Sequence, residues 1–364
     1  MKEAIAVLFA DSHLDLQTWA NRPRIQGDSL WSFDYIINRA CELDVGVIIG
    51  AGDLIDVKKP PAAIAQFIRQ RLQKVRECGI TFAFIQGQHE LSRDVPWFSA
   101  IDDHTEHLDG NILIIGNAIE VYGLDWRPGS QLKAALETVP PVDLLVMHQV
   151  WRDFMGENCS AEGSFADVPP VPLLLTGDFH TTIDAQYGKL RVLSPGSTSL
   201  RSVNEPADKH FFVLYDNGEV VTETIPTRQK LEVSVYDENE LALFLDEWPI
   251  TKHRLQEASA GLPDNLQLPI VWFKYSFDLL DVYEKVSSVI GADAEIFRKE
   301  LQIAREQQVI ERFERDSAVA DGLVGCLLLL VEDKDDFTVL RDLLVSTDQA
   351  ETLAAIAHER GIEL

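Results

Sequence analysis

The chain has 364 residues, room for two or three domains at roughly 150 residues each, and its 46% hydrophobic and 25% charged composition is that of an ordinary globular protein. Lys plus Arg number 32 against 59 Asp plus Glu, a net charge of -27, which excludes a chain whose own overall field draws in nucleic acid. The longest apolar run, Leu323 to Val331, is far too short to cross a bilayer, so no membrane is expected as a partner. The apolar opening stops at Asp11 and reads as a first strand, not as a signal peptide. Cys41, Cys78, Cys159 and Cys326 lie far apart with no Cys-x-x-Cys pair, so free thiols in a reducing, cytoplasmic setting are expected.

Taken in order, Ala4 to Ala10 is a continuous apolar run, the pattern of a buried strand. Ile36, Ile37, Ala40 and Leu43 predict a helix over 31–43, followed by a strand over 45–50, a helix over 62–77 and a strand over 80–85. Runs at 112–115, 118–122, 144–147 and 171–175 continue an alternation that argues for a layered α/β sheet structure. Short strands follow at 190–193, 210–215 and 219–225, the last two joined by the turn signal Asp216-Asn217-Gly218. After Arg228 the texture changes. Strands at 231–235 and 270–275, each followed by a helical pattern, predict a small α+β domain. Beyond Glu300 the chain reads as mostly helical, with an apolar stripe at Phe337, Leu340, Leu343 and Leu344. The expected division is therefore 1–228, 229–300 and 301–364.

Polar residues able to bind metal close one apolar run after another. Asp11-Ser12-His13 ends the first, Gly52-Asp53-Leu54-Ile55-Asp56 the second and Gly87-Gln88-His89-Glu90 the third. His148 ends the run at 144–147, and Gly177-Asp178-Phe179-His180 ends the run at 171–175. In an open α/β sheet the carboxyl ends of strands form the ligand site, so these segments can deliver Asp, His and amide oxygens to one small volume. That donor mix suits two divalent ions that clamp both oxygens of an in-line phosphoryl displacement. Asp53, with two carboxylate oxygens, would bridge the ions. His89 would act as general acid or transition-state stabiliser at the leaving oxygen. The glycines at 52, 87 and 177 read equally as turn residues.

In this order the segments resemble the signature of the calcineurin-like metallophosphoesterase superfamily over about residues 5–225. The resemblance implies a β-sandwich flanked by helices. It implies Asp11, His13, Asp53 and His180 for a first metal, and Asp53, Gln88, His148 and Asp178 for a second, with His89 as the catalytic histidine. Asp11-Ser12-His13-Leu14, Met147-His148-Gln149 and Ser194-Pro195-Gly196-Ser197 with Arg201-Ser202-Val203-Asn204-Glu205 are similar to segments of the SbcD-type DNA repair nucleases. What that implies is a DNA exonuclease and endonuclease using manganese, with magnesium as the alternative. It further implies a capping domain over 229–300, a C-terminal arm that docks on an SbcC-type, SMC-like ATPase, and a homodimer through the core. Two residues depart from the pattern. Gln88 stands where the family has Asn, and Asp178 where it has His; both fall on the second metal. A carboxylate in place of an imidazole hardens that site and favours manganese or magnesium over zinc.

Other residues invite weaker readings. His104 and His107, in Asp-Asp-His-Thr-Glu-His, read as a solvated loop, and His210, His253 and His358 as structural or exposed. Trp97, Trp126 and Trp151 read as core or rim. Arg127, Lys189, Arg191 and Arg201 form either a local phosphate track or ordinary surface. The alternatives to a nuclease are a stand-alone phosphodiesterase or phosphatase on a small nucleotide or phosphoprotein, and a non-catalytic scaffold with a degenerate second site.

Overall fold

The computed structural model of the chain describes residues 2–155, 161–276 and 281–301. Up to Ile225 the chain forms β1 (Ala4–Phe9), β2 (Val47–Ala51), β3 (Thr81–Ile85), β4 (Glu106–His107), β5 (Ile112–Ile115), β6 (Ile119–Leu124), β7 (Leu144–His148), β8 (Leu173–Gly177), β9 (Ile183–Tyr187), β10 (Leu190–Ser194), β11 (Lys209–Tyr215) and β12 (Val220–Ile225). They form two six-stranded sheets, β12-β11-β1-β2-β3-β4 and β5-β6-β7-β8-β10-β9. β1 to β4 run parallel, with β11 antiparallel to β1. In the other sheet β6, β7, β8 and β10 are parallel, flanked by antiparallel β5 and β9.

The runs are continuous because both faces of these strands are buried. Successive side chains point to opposite faces. Ala6, Leu8 and Ala10 therefore join Val146, Leu175 and Leu193 in the core between the sheets. Val7 and Phe9 face outward and pack with Phe33, Ile36 and Ile68 of α1 (Asp28–Leu43) and α2 (Ala62–Glu77). Phe98 of α3 (Trp97–Ile101) stacks on Phe82 with ring centroids 5.2 Å apart. On the far side, Leu145, Met147 and Leu174 pack against Leu132 and Leu136 of α4 (Gly129–Leu136) and against Trp151, next to α5 (Arg152–Met155). The architecture is mixed α/β: two layered sheets flanked by helices.

Three features differ from expectation. α1 begins at Asp28 and not at 31, after Gly27 at φ 95°, because the Asp28 carboxylate is held by Arg228 and so can open the first turn. β9 went unforeseen because it is a half-buried edge strand whose Asp184 and Gln186 break any apolar run. Cys41 and Cys78 are not free thiols: they form a disulfide with Cα atoms 5.8 Å apart. The helices that carry them precede the parallel strands β2 and β3 and pack on the same sheet face, so their C-terminal ends lie together although 37 residues separate the cysteines. Cys159 and Cys326 lie outside the described residues.

Past Arg228 come β13 (Lys230–Val235), α6 (Glu238–Ala258), β14 (Ile270–Ser276), α7 (Val282–Ile290) and β15 (Glu295–Leu301), with sheet order β13-β14-β15. The chain divides into two compact units. Among the described residues, one comprises 2–155, 161–235, Asn239–Lys274 and Asp281–Lys299, and the other contains Tyr236–Glu238. Within the first, buried Arg228 binds Asp28 at 2.7 and 2.9 Å and reaches the carbonyls of Leu268 and Asn265 at 2.6 and 2.9 Å. The expected helical region beyond Leu301, its stripe from Phe337 to Leu344, and His358 lie outside the described residues. No helix among the described residues is long and apolar enough to cross a membrane.

Candidate metal centre

The loops after β1 and β2 are zipped together by backbone hydrogen bonds. Asp11 N–H donates to Gly52, His13 N–H to Asp53, Leu14 N–H to Leu54, and Asp56 N–H back to Leu14, at 2.9 to 3.0 Å. Asp11, His13, Asp53 and Asp178 sit at φ 50°, 43°, 49° and 82°, a left-handed region that non-glycine residues occupy at a cost of about 1–3 kcal/mol each. Gly87 is more than a turn residue, since a Cβ there would overlap the Asp53 carboxylate. Gly52, at φ +83°, would bring a Cβ within 2.6 Å of His148 Nδ1.

The result is one cluster at the C-terminal ends of β1, β2, β3, β7 and β8. Asp53 Oδ2 lies 3.3 Å from His148 Nε2, 3.8 Å from His89 Nε2 and 3.9 Å from His13 Nε2. Its Oδ1 accepts the His89 backbone N–H at 3.0 Å. Asp11 Oδ1 lies 3.7 Å from His13 Nε2 and 3.6 Å from His180 Nε2. Asp178 Oδ1 is 3.8 Å from His148 Nε2 and accepts a hydrogen bond from the Gln88 amide. The structure thus brings together Asp11, His13, Asp53, Gln88, His89, His148, Asp178 and His180.

Three overlapping groups could each hold a cation: Asp11, His13 and His180; His13, Asp53 and His89; Asp11, Asp53 and His148. The donor chemistry fits. His148 Nδ1 donates to the Ala51 carbonyl at 2.7 Å, which turns the lone pair of Nε2 inward. His148 Nε2, His13 Nε2 and Gln88 Oε1 are buried without a hydrogen-bond partner, the condition of atoms reserved for a ligand. Burial pushes the His148 imidazole down, yet the carboxylates of Asp53, Asp11 and Asp178 outweigh it and hold it well above its ordinary value. Burial likewise opposes ionisation of Asp53, but His148, His13 and His89 keep it far below the usual carboxylate range. The cluster thus favours positive charge among its carboxylates, the role a bound cation takes over. Glu90 is different. Burial and the Asp53 charge push it up to about 8, and its Oε1 accepts the N–H groups of Gly87 and Leu54 at 3.0 and 3.2 Å.

Several supporting residues escaped the sequence reading. Asp56 was visible in its motif but carried no role; it lies 3.0 Å from His13 Nδ1, and its carbonyl is 3.1 Å from His89 Nδ1. Glu205 accepts from His180 Nδ1 at 2.8 Å. Burial alone would raise Glu205, but the His180 hydrogen bond and the Lys209 charge bring it down to about 2. Only the Asn204-Glu205 signature hinted at it.

The phosphate track is not borne out for its arginines. Arg127 is bound to both carboxylate oxygens of Asp109, Arg191 to both of Asp184, and Arg201 to Asp56. His104 is exposed in a group with Asp102 and Asp103, whereas His107 belongs to β4, stacked on Phe84 and 2.9 Å from Asp125. Trp151 is buried and donates to Thr176 at 2.7 Å, and half-buried Trp126 donates to Glu162 at 3.2 Å, as core and rim residues do.

No family model matches the sequence. Among curated proteins, the chain is 27% identical over 242 residues to the DNA double-strand break repair protein Mre11 of Methanosarcina acetivorans, covering 62% of this chain and 39% of that protein. It is 27% identical over 228 residues to Mre11 of Halobacterium salinarum (61% and 58%), and 22% identical over 354 residues to Mre11 of Methanocaldococcus jannaschii (89% and 92%). The chain thus spans about 39–58% of the length of the first two relatives. Among solved structures, TT1561 of Thermus thermophilus aligns with 61% of this chain and 99% of its own at a TM-score of 0.39 and 13% identity. The chain is thus similar to the Mre11 DNA double-strand break repair proteins, and its motifs resemble those of the SbcD-type, calcineurin-like metallophosphoesterases.

Proposed function

We propose that the chain is a metal-dependent phosphodiesterase that cleaves DNA, acting as the nuclease subunit beside an SMC-like ATPase in DNA repair or recombination. The observation that carries the reading is Asp53, whose Oδ2 lies within 4 Å of Nε2 of His13, His89 and His148, with Asp11, Asp178 and His180 around it. Asp11, His13, Asp53 and His180 would hold one divalent ion, and Asp53, Gln88, His148 and Asp178 a second. Bound ions of this kind polarise the phosphoryl oxygens as Lewis acids. His89 is half-buried, with Nδ1 fixed on the Asp56 carbonyl, so Nε2 faces the cluster and can deliver a proton to the leaving oxygen. The hydrogen bond between Gln88 and Asp178 accounts for both departures at once: the longer amide reaches the shorter carboxylate across the second site. A donor set so rich in carboxylate favours manganese, with magnesium as the alternative.

DNA is the substrate that the Mre11 relatives' description suggests, and a cytoplasmic location follows from the same reading. The net charge of -27 fits this reading best where the ATPase partner and the ions supply much of the DNA-binding surface. That charge, and the commitment of Arg127, Arg191 and Arg201 to carboxylates, favours a second reading as a phosphodiesterase on small nucleotides. The deciding experiment is hydrolysis of labelled linear duplex and single-stranded DNA with manganese, beside bis-p-nitrophenyl phosphate and the His89→Ala variant. Manganese-dependent DNA degradation lost in the variant supports the nuclease. Turnover of the small diester alone supports the second reading, and no turnover of either leaves only a non-catalytic scaffold.

A further inference from the structure

Of the histidines around Asp11, His180 is braced by a carboxylate, Glu205, which accepts from its Nδ1 at 2.8 Å, while Asp56 lies 3.0 Å from His13 Nδ1. His148 is braced by a neutral carbonyl instead, that of Ala51. Glu205 is itself held from several sides. Its Oε2 accepts from Ser197 Oγ at 2.9 Å, from Lys209 Nζ at 2.8 Å and from the Arg201 backbone N–H at 3.2 Å. Lys209 is only 1% exposed and also donates to Ser197 Oγ at 2.7 Å. From β13, Lys230 Nζ donates to the carbonyls of Val203 and Glu205 at 2.8 and 2.6 Å.

We propose that Glu205 is a positioning residue of the first metal site, and that Lys209, Ser197 and Lys230 exist to hold it. The inference rests on the metal reading above. An imidazole that donates Nδ1–H to a carboxylate has its tautomer and ring orientation fixed and its Nε2 made more basic, and loss of such a partner costs metal affinity about 10- to 100-fold. Burying an ammonium beside Glu205 would be wasteful for surface packing, because an unpaired buried charge is strongly unfavourable; the pair makes sense when the carboxylate must stay ionised and immobile. Through Lys230, the first strand of the three-stranded sheet grips the backbone of the same loop. The seating of that sheet is thereby coupled to the orientation of His180.

The test is calorimetric titration of the full chain with manganese alone, in wild type, Glu205→Gln, and Glu205→Gln with Lys209→Met. The double variant removes both charges, so no lone ammonium is left buried. The expected result is two binding events in wild type, with the tighter weakened 10- to 100-fold in both variants and the other unchanged. The ion-free double variant should keep a Tm within a few degrees of wild type. Unaltered binding in folded variants would overturn the role of Glu205 while leaving the metal centre standing. Absence of manganese binding by wild type itself would overturn both, which separates the two failures.

Discussion

Asp53 is reached from every side of the cluster, and its surroundings are built around its carboxylate. The closest approach is Gly87, where any side chain would enter the space of that carboxylate. Gly87→Ala is expected to abolish hydrolysis and weaken manganese binding, because Asp53 must swing away; equilibrium dialysis against manganese checks this. His89 behaves oppositely. Its side chain is 31% exposed and contributes to the edge of the ligand set, so His89→Ala should lose hydrolysis at least a hundredfold while keeping most of the bound manganese. Full activity in that variant would remove its assigned role. At this scale the sequence was informative wherever a functional residue followed directly on a strand, as Asp11, Asp53, His148 and Asp178 do. It gave no role for Glu205, though its segment was part of a motif, and was silent on Lys209, because both act through a loop folding back onto His180 from 25 residues away.

The elements are held to one another by a few buried polar ties. Arg228 is one of them, fully buried and bidentate to Asp28 at the start of α1. Arg228→Ala leaves the Asp28 carboxylate buried and unpaired, which should cost about 3–5 kcal/mol in urea unfolding. An unchanged midpoint would show that water reaches Asp28. The Cys41–Cys78 disulfide joins α1 to the end of α2. Its reduction should lower stability by about 2–4 kcal/mol, read as a fall in Tm with dithiothreitol that Cys41→Ser abolishes. Both ties were illegible in advance for the same reason: pairing in space between residues far apart in sequence leaves no local pattern. Strand order and burial fared better. Periodicity located nearly every buried strand, since a strand with both faces covered must be apolar throughout. It failed for β9 and β4, edge elements that need no such run.

For the whole molecule, charge and the C-terminal region frame the remaining expectations. With a net charge of -27, duplex DNA binding should be undetectable in EDTA, appear with manganese, and strengthen with an SMC-like partner. A filter-binding series with and without chelator measures this, and tight binding in EDTA would point to a basic surface beyond the described residues. Removing residues after about 300 should spare hydrolysis of simple substrates while abolishing association with the ATPase, as gel filtration of the mixed proteins would show.

The interleaving of β1 between β2 and β11 carries a further consequence, for synthesis of the chain. Asp11 is made early, yet its strand lacks one neighbour until residues 209–215 emerge, and His180 lacks its hydrogen-bond partner until Glu205 does. Contacts of such long sequence separation form late in folding, because loop closure must precede their reward. No nascent or proteolysed N-terminal fragment ending before β11 can therefore present the assembled cluster of Asp and His side chains. The order in which the ribosome releases the chain leaves that cluster incomplete until the sandwich has closed.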